Sequence, residues 1–527
     1  MSKAGCRVHD KVMFKTYEQR QTQLPFDLAS LIPENHTVKV VNRAIEQLNL
    51  ATLLAKYPGG GRSSFHPVMM TKLIVYAYTD KIYSSRRMEK AARENIMYMW
   101  LCGGNTPDFK TINSFRGERM KDVIEEVFAA VVDLLVREGR IKLENYFLDG
   151  TKIEANASKY SWVWGKSTRR YKAQLREKCK ELCRLAEAAN DAENAEYGDR
   201  NLEELGEGKE IDAKSIEEAI GRLNEKLAQS PQNKELKRAK KKLESDCLPR
   251  MKKYEQQELL LQRRNSYAKT DTAATFMRMK EDHMRNGQLK PGYNVQIGTE
   301  NQYVVGYSVH QHPGDTSCFE AHLQKLAKQR GRLPANIVAD AGYGSEENYA
   351  FLEEQRVGNY VKYNTFHKEA TKKWRTDPTR LQNWCYDEAQ DEYTCGFNRK
   401  VSFRKESTSR SQRGYQSRIR VYECEDCEGC PHRQRCVKKP EIAGYKRRIY
   451  VNRRNEELRE VARTNLTGET GLALRSLRPI EVESVFGDIK SNYGVRRFLL
   501  RGLEKVGLEW GLCCIGHNMR KLAVSLG

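Results

Sequence analysis

Apolar side chains between residues 45 and 140 recur with the three- and four-residue spacing of helices. The run VMMTKLIVYAYTDKIY is apolar on most sides, which predicts a buried helix, and RRMEKAARENIMYMWL follows two serines that can cap a second one. A further helix repeats apolar positions such as Val127 and Val131 and stops at Gly139. The pattern predicts an all-α domain at 45–140 behind a polar, turn-rich arm at 1–44.

Short apolar runs of strand character follow, and two long inserts interrupt them. The runs are YFLDG at 141–160, then PGYNVQIGT, QYVVGYSVHQ, IVADAG and NYVKY at 266–364, with TENQ as a hairpin turn. Residues 161–265 have helical spacing with dense Lys and Glu, which predicts a helical hairpin or short coiled coil. Residues 365–470 hold a cysteine cluster among short strands and loops, and 471–527 return to helices. This order predicts an α/β fold with an RNase H-like mixed sheet.

Three carboxylates lie where elements of this fold would gather them. Asp149 and Asp340 each end a short apolar run, and Glu483 lies on a helix with Lys490 seven residues further on. Oxygen ligands without histidine suit Mg²⁺ or Mn²⁺, and two such ions roughly 3.5–4 Å apart can clamp both reacting oxygens of a phosphodiester. The pattern therefore predicts phosphoryl transfer at a site with two metal ions.

Other polar residues compete with these three as candidates. Asp271 lies in a polar stretch and reads as a helix N-cap, and Asp315, after His312-Pro313-Gly314, reads as turn or cap chemistry. Glu154 is close enough to Asp149 in the chain to support it. His310 and His312 alternate on one strand, a pattern more often structural than catalytic, and His517 in the last helix is expected to be a packed histidine.

The charge balance favours a polyanionic partner. The chain has 527 residues, a formal net charge of +22 and a pI near 9.3, and such an excess of Lys and Arg is typical of proteins that bind nucleic acid. The N-terminus lacks the apolar core of a secretory signal, and no run is long enough to span a membrane. We therefore expect a cytoplasmic protein with double-stranded DNA as its partner.

Basic side chains near the predicted helix starts are candidate DNA contacts. Those in the all-α region are Arg86, Arg87, Lys90, Arg93, Lys110, Arg116 and Arg119, and those after Lys490 are Arg496, Arg497 and Arg501. A helix-turn-helix-like reader of DNA needs basic residues there. A solvated helix face explains the first group equally well.

Several blocks, in this order along the chain, resemble bacterial insertion-sequence transposases of the DDE type, in the group with a long insert before the final glutamate. The blocks are PDFKTINSFR, DGTKIEANASKYSW, KPGYNVQIG, ADAGYGSEENY and VESVFGDIKSNYGVRRFLLRG. The resemblance implies an RNase H-like domain that binds the ends of the element as a dimer or higher oligomer, cuts DNA and joins it to a target. It carries over Asp149, Asp340 and Glu483 as ligands of Mg²⁺ or Mn²⁺, and Lys490 as a DNA contact.

The chain departs from the related pattern just before the glutamate. That pattern places a tyrosine and an arginine ahead of Glu483, but the arginine position is Pro479 and Arg478 stands one residue early. Arg478 is therefore the candidate for gripping a phosphate. A related nuclease that cuts without joining and a non-catalytic DNA-binding regulator are alternatives, and the intact set of carboxylates argues against the regulator.

The cysteine cluster CEDCEGCPHRQRC suggests a second metal site. Its cysteines are Cys424, Cys427, Cys430 and Cys436. Four such thiolates can hold a structural Zn²⁺ in tetrahedral geometry. Rival ligands are His432, Cys385 and Cys395. An iron–sulfur cluster and a set of free, reduced thiols remain alternatives.

Overall fold

The computed structural model describes residues 14–15, 27–49, 51–55, 57, 64–197, 211–229, 231–279 and 287–526. Over these residues the protein is a mixed α/β fold, as the sequence predicts. No helix in these ranges combines the length and the apolar character needed to cross a bilayer.

The N-terminal part is largely helical. Its elements are β1 (Phe14–Lys15), α1 (Thr37–Glu46), α2 (Ala51–Leu54), β2 (Ser64–Phe65), α3 (Pro67–Thr79), α4 (Ser85–Glu94), α5 (Ile96–Leu101), α6 (Phe109–Ser114) and α7 (Ile124–Arg137). Helix α3 starts with Pro67 behind His66, whose Nδ1 accepts a hydrogen bond from the Val68 amide. It is buried over almost its whole length, which confirms the prediction from its apolar run.

Two boundaries differ from the sequence analysis. Helix α1 lies inside the segment predicted as an arm, and its Val38 and Val41 are buried in the core, so the folded part begins before residue 45. The helix predicted over RRMEKAARENIMYMWL is broken at Asn95, whose backbone is extended and whose Oδ1 accepts from the Met97 amide to cap α5. A side chain that can cap the start of a helix thus divides the one predicted helix into two.

The first insert leaves and rejoins the chain through a two-stranded ribbon. After β3 (Asn145–Glu154), its elements are β4 (Trp162–Trp164), α8 (Gly165–Tyr197), α9 (Ala213–Gln229), α10 (Lys234–Lys242), α11 (Leu248–Leu261) and β5 (Ser266–Ala268). A π-turn joins α10 to α11, so the described part of the insert packs three helical segments around a small core of its own, rather than the predicted two-helix hairpin. Strands β4 and β5 pair antiparallel and bring its two ends together.

The central sheet follows the predicted order of elements. These are β6 (Thr275–Arg278), β7 (Leu289–Glu300), β8 (Tyr303–His310), α12 (Phe319–Arg330), β9 (Asn336–Ala339), α13 (Glu346–Glu354) and β10 (Gly358–Val361). Strands β10, β9 and β3 run parallel, β3 pairs antiparallel with β7, and β7 pairs antiparallel with β6 and β8. The predicted hairpin turn between β7 and β8 is present, with Asn301 and Gln302 at φ 52° and 61°.

The second insert, described throughout, is an antiparallel sheet with strands in chain order. Its elements are α14 (Phe366–Glu369), α15 (Lys372–Arg375), β11 (Cys385–Asp387), β12 (Glu392–Thr394), β13 (Lys400–Arg410), β14 (Gln416–Cys424), α16 (Arg433–Cys436) and β15 (Arg448–Val451). Strands β13 and β14 are longer than the short strands predicted. The tip of their hairpin returns to the central domain, where Arg413 pairs with Glu347 at 2.9 Å and with Glu320 at 3.2 Å.

The C-terminal part is helical. Its helices are α17 (Arg453–Thr467), α18 (Glu469–Arg478), α19 (Ser484–Gly487) and α20 (Leu503–Leu526). Helix α17 packs against β10 and α13 and buries Leu458 and Leu466. The second insert therefore ends near Val451 and not at the predicted residue 470.

Helix α20 joins the N-terminal helices to the sheet. It is buried along most of its length and packs against α3, α7 and β8. A Cβ on Gly516 would lie 3.0 Å from the Tyr78 backbone, and one on Gly511 would lie 2.4 Å from the Tyr307 hydroxyl, so both glycines permit close packing. The N-terminal helices and the sheet consequently share one hydrophobic core instead of forming separate domains.

Candidate active site

Asp149 and Asp340 lie side by side because their strands are parallel neighbours, although Asp149 lies in the middle of β3 and not at the predicted strand end. The pairing of β3 with β9 aligns Leu148 with Ala339, and the next residue of each strand is one of the two aspartates. Asp340 directly follows β9, and its Oδ1 accepts a hydrogen bond of 2.8 Å from the Gly342 amide, which caps a short 3₁₀ turn. The strand pairing thus brings together two carboxylates that are far apart in the chain.

A helical segment formed by α18, two π-turns and α19 carries Glu483 across this sheet face. Its Leu474 and Val482 pack against Phe147 of β3 and Val338 of β9. Alternate residues of a strand share a face, so Phe147 and Asp149 both point toward this helical segment. The apolar contact therefore fixes the position of the helical segment on the sheet, and with it the place where the polar side chains of the segment meet the aspartates.

Arg478 contacts all three predicted carboxylates. Its Nη2 lies 3.3 Å from Asp149 Oδ1 and 3.9 Å from Asp340 Oδ2, and its Nη1 lies 3.0 Å from Glu483 Oε1. The side chains of Arg478 and Asp149 are each 10% exposed, whereas those of Asp340 and Glu483 are 45% and 56% exposed. The site is closed on the side of the sheet and open to solvent on the other, which leaves room for a large substrate.

Lys362 is a further cation near the site that the sequence analysis missed. It follows β10 directly, and its amide donates to the Ala339 carbonyl at 3.2 Å, which sets it beside Asp340. Burial lowers the pKa of Lys362 and Arg478 lowers it further, while Asp340 and Glu483 raise it. The sequence did contain a signal for Lys362. It lies near the end of NYVKY, a predicted strand, just as Asp340 follows the apolar run IVA.

The donor chemistry of this cluster fits a hard divalent cation. Its carboxylate oxygens surround the guanidinium of Arg478, and oxygen ligands of this kind are the ones that Mg²⁺ and Mn²⁺ prefer. Among the described residues, no three His, Cys, Asp or Glu side chains are arranged for coordination as they stand. In the active-site cluster Arg478 lies between the carboxylates, so bringing them onto a common ion requires its guanidinium to move.

A polar network on the opposite face of β3 fixes the turn after Asp340. Gln296 Nε2 donates to Asp315 Oδ1 at 3.1 Å, and the Tyr343 hydroxyl donates to Gln296 Oε1. Gly150 makes space for it, because a Cβ there would lie 2.1 Å from Gln296 Nε2. Asn294 Nδ2 also donates to Asp315 Oδ1, at 2.8 Å. Asp315 is thus both part of a turn, as predicted, and an acceptor for two buried amides.

Two other carboxylates have structural partners. Asp271 is buried and accepts from the Tyr293 hydroxyl at 2.8 Å and the Gly502 amide at 3.2 Å, so it ties the loop before α20 to the sheet instead of capping a helix. Glu154 forms an ion pair of 3.5 Å with Lys290.

His310 and His312, predicted to alternate on one strand, do not form a pair; His310 is instead linked to His322. His310 ends β8, while His312 lies beyond it. Ser308 hydrogen-bonds to both His310 Nε2 and His322 Nδ1, and burial lowers the pKa of His310 to about 4. These histidines are therefore neutral at pH 7 and structural. His517 is packed, as predicted, with its Nε2 2.9 Å from the Gln302 carbonyl.

Arg116 is wrongly predicted as a DNA contact. It is buried, and it donates to the Tyr83 carbonyl at 2.8 Å and the Tyr78 hydroxyl at 3.2 Å. Arg119 stacks over the Tyr57 ring at 4.3 Å. In contrast, the basic residues at the start of α4 are exposed, and these are Arg86, Arg87 and Lys90.

Lys490 also differs from its predicted position. It is 8% exposed, so its side chain does not share the open helix face of Glu483. The π-turn at Asp488–Asn492 changes the helical phase between Glu483 and Lys490, which in a regular α-helix would share one face at i and i+7. The exposed basic residues after it are Arg496, Arg497 and Arg501.

A half-open cluster of carboxylates on a strongly basic chain is typical of enzymes that act on nucleic-acid phosphates. Residues 394–523 match the family model of a transposase DDE domain, and residues 26–118 match that of a transposase domain (DUF772). None of the curated proteins compared matches the chain. The two family matches confirm the resemblance to insertion-sequence DDE transposases, enzymes that cleave and transfer DNA.

The matched segments divide the candidate site. Arg478, Glu483 and the cysteine cluster lie within residues 394–523. Asp149 and Asp340 lie between the two matches, so their assignment depends on the strand pairing and on the contacts of Arg478.

Proposed function

We propose that this protein is a DNA transposase that binds the ends of an insertion sequence, cleaves phosphodiesters with the help of Mg²⁺ or Mn²⁺, and joins the 3′-hydroxyl ends to target DNA. The observation that carries the proposal is the contact of Arg478 with Asp149, Asp340 and Glu483, which come from three distant parts of the chain. The strand order β10–β9–β3–β7, parallel for three strands and then antiparallel, supports an RNase H-like core.

Asp149, Asp340 and Glu483 are the residues that would hold the metal ions. When bound, two divalent cations supply an activated attacking oxygen and stabilise the leaving oxygen of the phosphodiester. Arg478 offsets the repulsion among the carboxylates and keeps a positive charge where the scissile phosphate has to lie. Lys362 adds a second cation beside Asp340.

The direct test is a cleavage and joining assay with the full chain. DNA that carries the sequences flanking the coding region is the substrate, and a supercoiled plasmid is the target. With Mg²⁺ or Mn²⁺ we expect cut ends and joined products, and pre-cut ends with free 3′-hydroxyls should join without prior cleavage. Cleavage without joining of pre-cut ends would instead support the related nuclease. Binding without any cleavage would support the regulator.

The proposal also includes an assembly of two or more chains. Two DNA ends have to be processed together, so a dimer or higher oligomer on DNA is the simplest arrangement, in the cytoplasm at the nucleoid. Mass measurement of the protein with and without paired end DNA tests the stoichiometry.

The exposed start of α4 is the proposed DNA-contacting surface of the N-terminal helices. Replacing Arg86, Arg87 and Lys90 together by Gln should weaken DNA binding at least about tenfold and reduce the slope of log affinity against log salt by about 2 to 3, because each lost phosphate contact releases about one counterion fewer. Filter binding or fluorescence anisotropy at several salt concentrations measures this slope.

A matched control removes the same charge elsewhere. The control residues are the exposed Arg137, Lys328 and Arg332, also replaced by Gln. An equal loss of affinity in both variants would assign the effect to net charge and contradict a specific surface on α4.

A further inference from the structure

Five cysteines surround one small cavity in the second insert. Cys395, Cys424, Cys427, Cys430 and Cys436 line a cavity of about 20 Å³. They come from the turn between β12 and β13, from the end of β14, from the loop that leads into α16 and from the last residue of α16. A cavity of this volume holds about one water-sized particle. Its size suits a single ion better than a cluster of several metal atoms.

Main-chain amides point at two of these sulfurs. The Arg399 amide donates to Cys395 Sγ at 3.4 Å, and the Arg447 amide donates to Cys427 Sγ at 3.3 Å. Amide donors of this kind stabilise a thiolate, which is the form of cysteine that binds a metal. Cys395 therefore has the surroundings of a ligand, although it lies outside the CEDCEGCPHRQRC motif.

Three arginines border the same cavity. Arg399, Arg433 and Arg447 line it, and Arg447 Nη1 donates to the Cys436 carbonyl at 2.9 Å. Burial raises the pKa of Cys436, whereas Arg447 lowers it. The positive charges would offset the negative charge of a metal held by four thiolates.

We propose that Cys395, Cys424, Cys427 and Cys436 form a structural tetrathiolate Zn²⁺ site. Cys395, Cys424 and Cys427 are the buried members of the cluster. Cys436 interacts electrostatically with Cys427 and Cys395 more than with Cys430, and Cys424 interacts with Cys427 and Cys395. This set replaces the predicted Cys430 by Cys395.

Binding requires a local rearrangement of the thiols. The thiols are not arranged for coordination as they stand, so binding has to bring them closer together than they are. Zn²⁺ binds the thiolate form of cysteine, so the thiols give up their protons when they bind it. His432 does not line the cavity, and its ring stacks on Phe397 at 4.3 Å between centroids. Cys385 is exposed and does not line the cavity.

The site would secure the base of the long β13–β14 hairpin. Cys424 ends β14, and Cys395 lies in the turn that leads into β13, while the hairpin tip is held by the ion pairs of Arg413 on the central domain. The apolar core of this insert is small, and a metal can contribute folding free energy that such a core lacks. A closed set of four thiolates leaves no open position for chemistry.

Metal analysis of the full chain tests the site. Protein produced in zinc-supplemented medium and purified under reducing conditions without chelator should contain about one zinc per chain. Cys395→Ser and Cys424→Ser should each lose most of it, and Cys430→Ser and Cys385→Ser should keep it. Wild-type protein reconstituted with Co²⁺ should show the visible absorption of tetrahedral cobalt–thiolate, a readout that does not depend on how the variants fold.

Three results would overturn the proposal. The first is wild-type protein that contains no zinc and takes up neither Zn²⁺ nor Co²⁺ after reduction. The second is iron with the brown absorption of an iron–sulfur cluster. The third is Cys395→Ser protein that retains as much zinc as the wild type. All three are independent of DNA cleavage, so they do not bear on the proposed transposase activity.

Discussion

Replacing Asp149, Asp340 or Glu483 by alanine is expected to reduce DNA cleavage at least about 1,000-fold, which corresponds to about 4 kcal/mol of transition-state stabilisation. The reason is that each carboxylate contributes to one cluster around Arg478, and the loss of any one leaves the metal ions incompletely held. DNA binding should change little, because binding depends mainly on phosphate contacts elsewhere. Cleavage of end-labelled DNA and a parallel binding assay separate the two effects.

The chain offers a control on the same helical segment. Asp488 lies five residues after Glu483, and its side chain accepts a hydrogen bond from Asn492 rather than facing the aspartates. Asp488→Asn should therefore cleave almost as well as the wild type. Near wild-type cleavage by any one of the three alanine variants would show that its carboxylate is wrongly assigned, and equal losses in Asp488→Asn would point to general damage to the helix.

The order of the central elements was predictable because each one carries a local signal. Buried parallel strands appear in the sequence as short apolar runs, and Asp149 and Asp340 end two of them. That β3 and β9 are neighbours could be expected from the fold class that the order indicates. The register that pairs Leu148 with Ala339 depends on the pairing itself.

The predictions that the structure contradicts concern the direction in which a side chain leaves its helix and the contacts between segments that are distant in the chain. Lys490 was expected on the same helix face as Glu483. A π-turn changes the helical phase of this segment, and no single residue in the sequence predicts such a turn. Arg116 looks like an exposed basic residue until α3 and the following loop enclose it. Cys395 was only one of three rival ligands in the sequence, and the pairing of β13 with β14 is what brings its turn beside Cys424.

Arg478→Gln is expected to have opposite effects in the absence and presence of divalent metal. Without metal, the substitution leaves Asp149, Asp340 and Glu483 without the cation that they share. Removing one partner of a buried ion pair costs about 3–5 kcal/mol, and the exposure of Asp340 and Glu483 reduces this to about 2 kcal/mol. The variant should therefore unfold at a lower temperature than the wild type in chelator.

Divalent metal should then stabilise the variant more than the wild type. In the wild type a metal has to compete with the guanidinium for the same three carboxylates, whereas in Arg478→Gln the cluster has no competing charge and gains more from binding an ion. Cleavage should nevertheless stay low, because the positive charge proposed to face the scissile phosphate is missing. Thermal unfolding in chelator, Mg²⁺ and Ca²⁺ measures the first effect, and the cleavage assay measures the second.

Arg463→Gln is the matched comparison, because it removes an arginine of α17 that pairs with Glu369 at 3.1 Å instead of with the three carboxylates. Its half-exposed ion pair should contribute less than about 1 kcal/mol, and its response to metal should equal that of the wild type. If Mg²⁺ raised the unfolding temperature of Arg478→Gln and Arg463→Gln equally, the three carboxylates would not be the metal ligands. A larger rise confined to Arg478→Gln would locate the metal among them independently of any catalytic measurement.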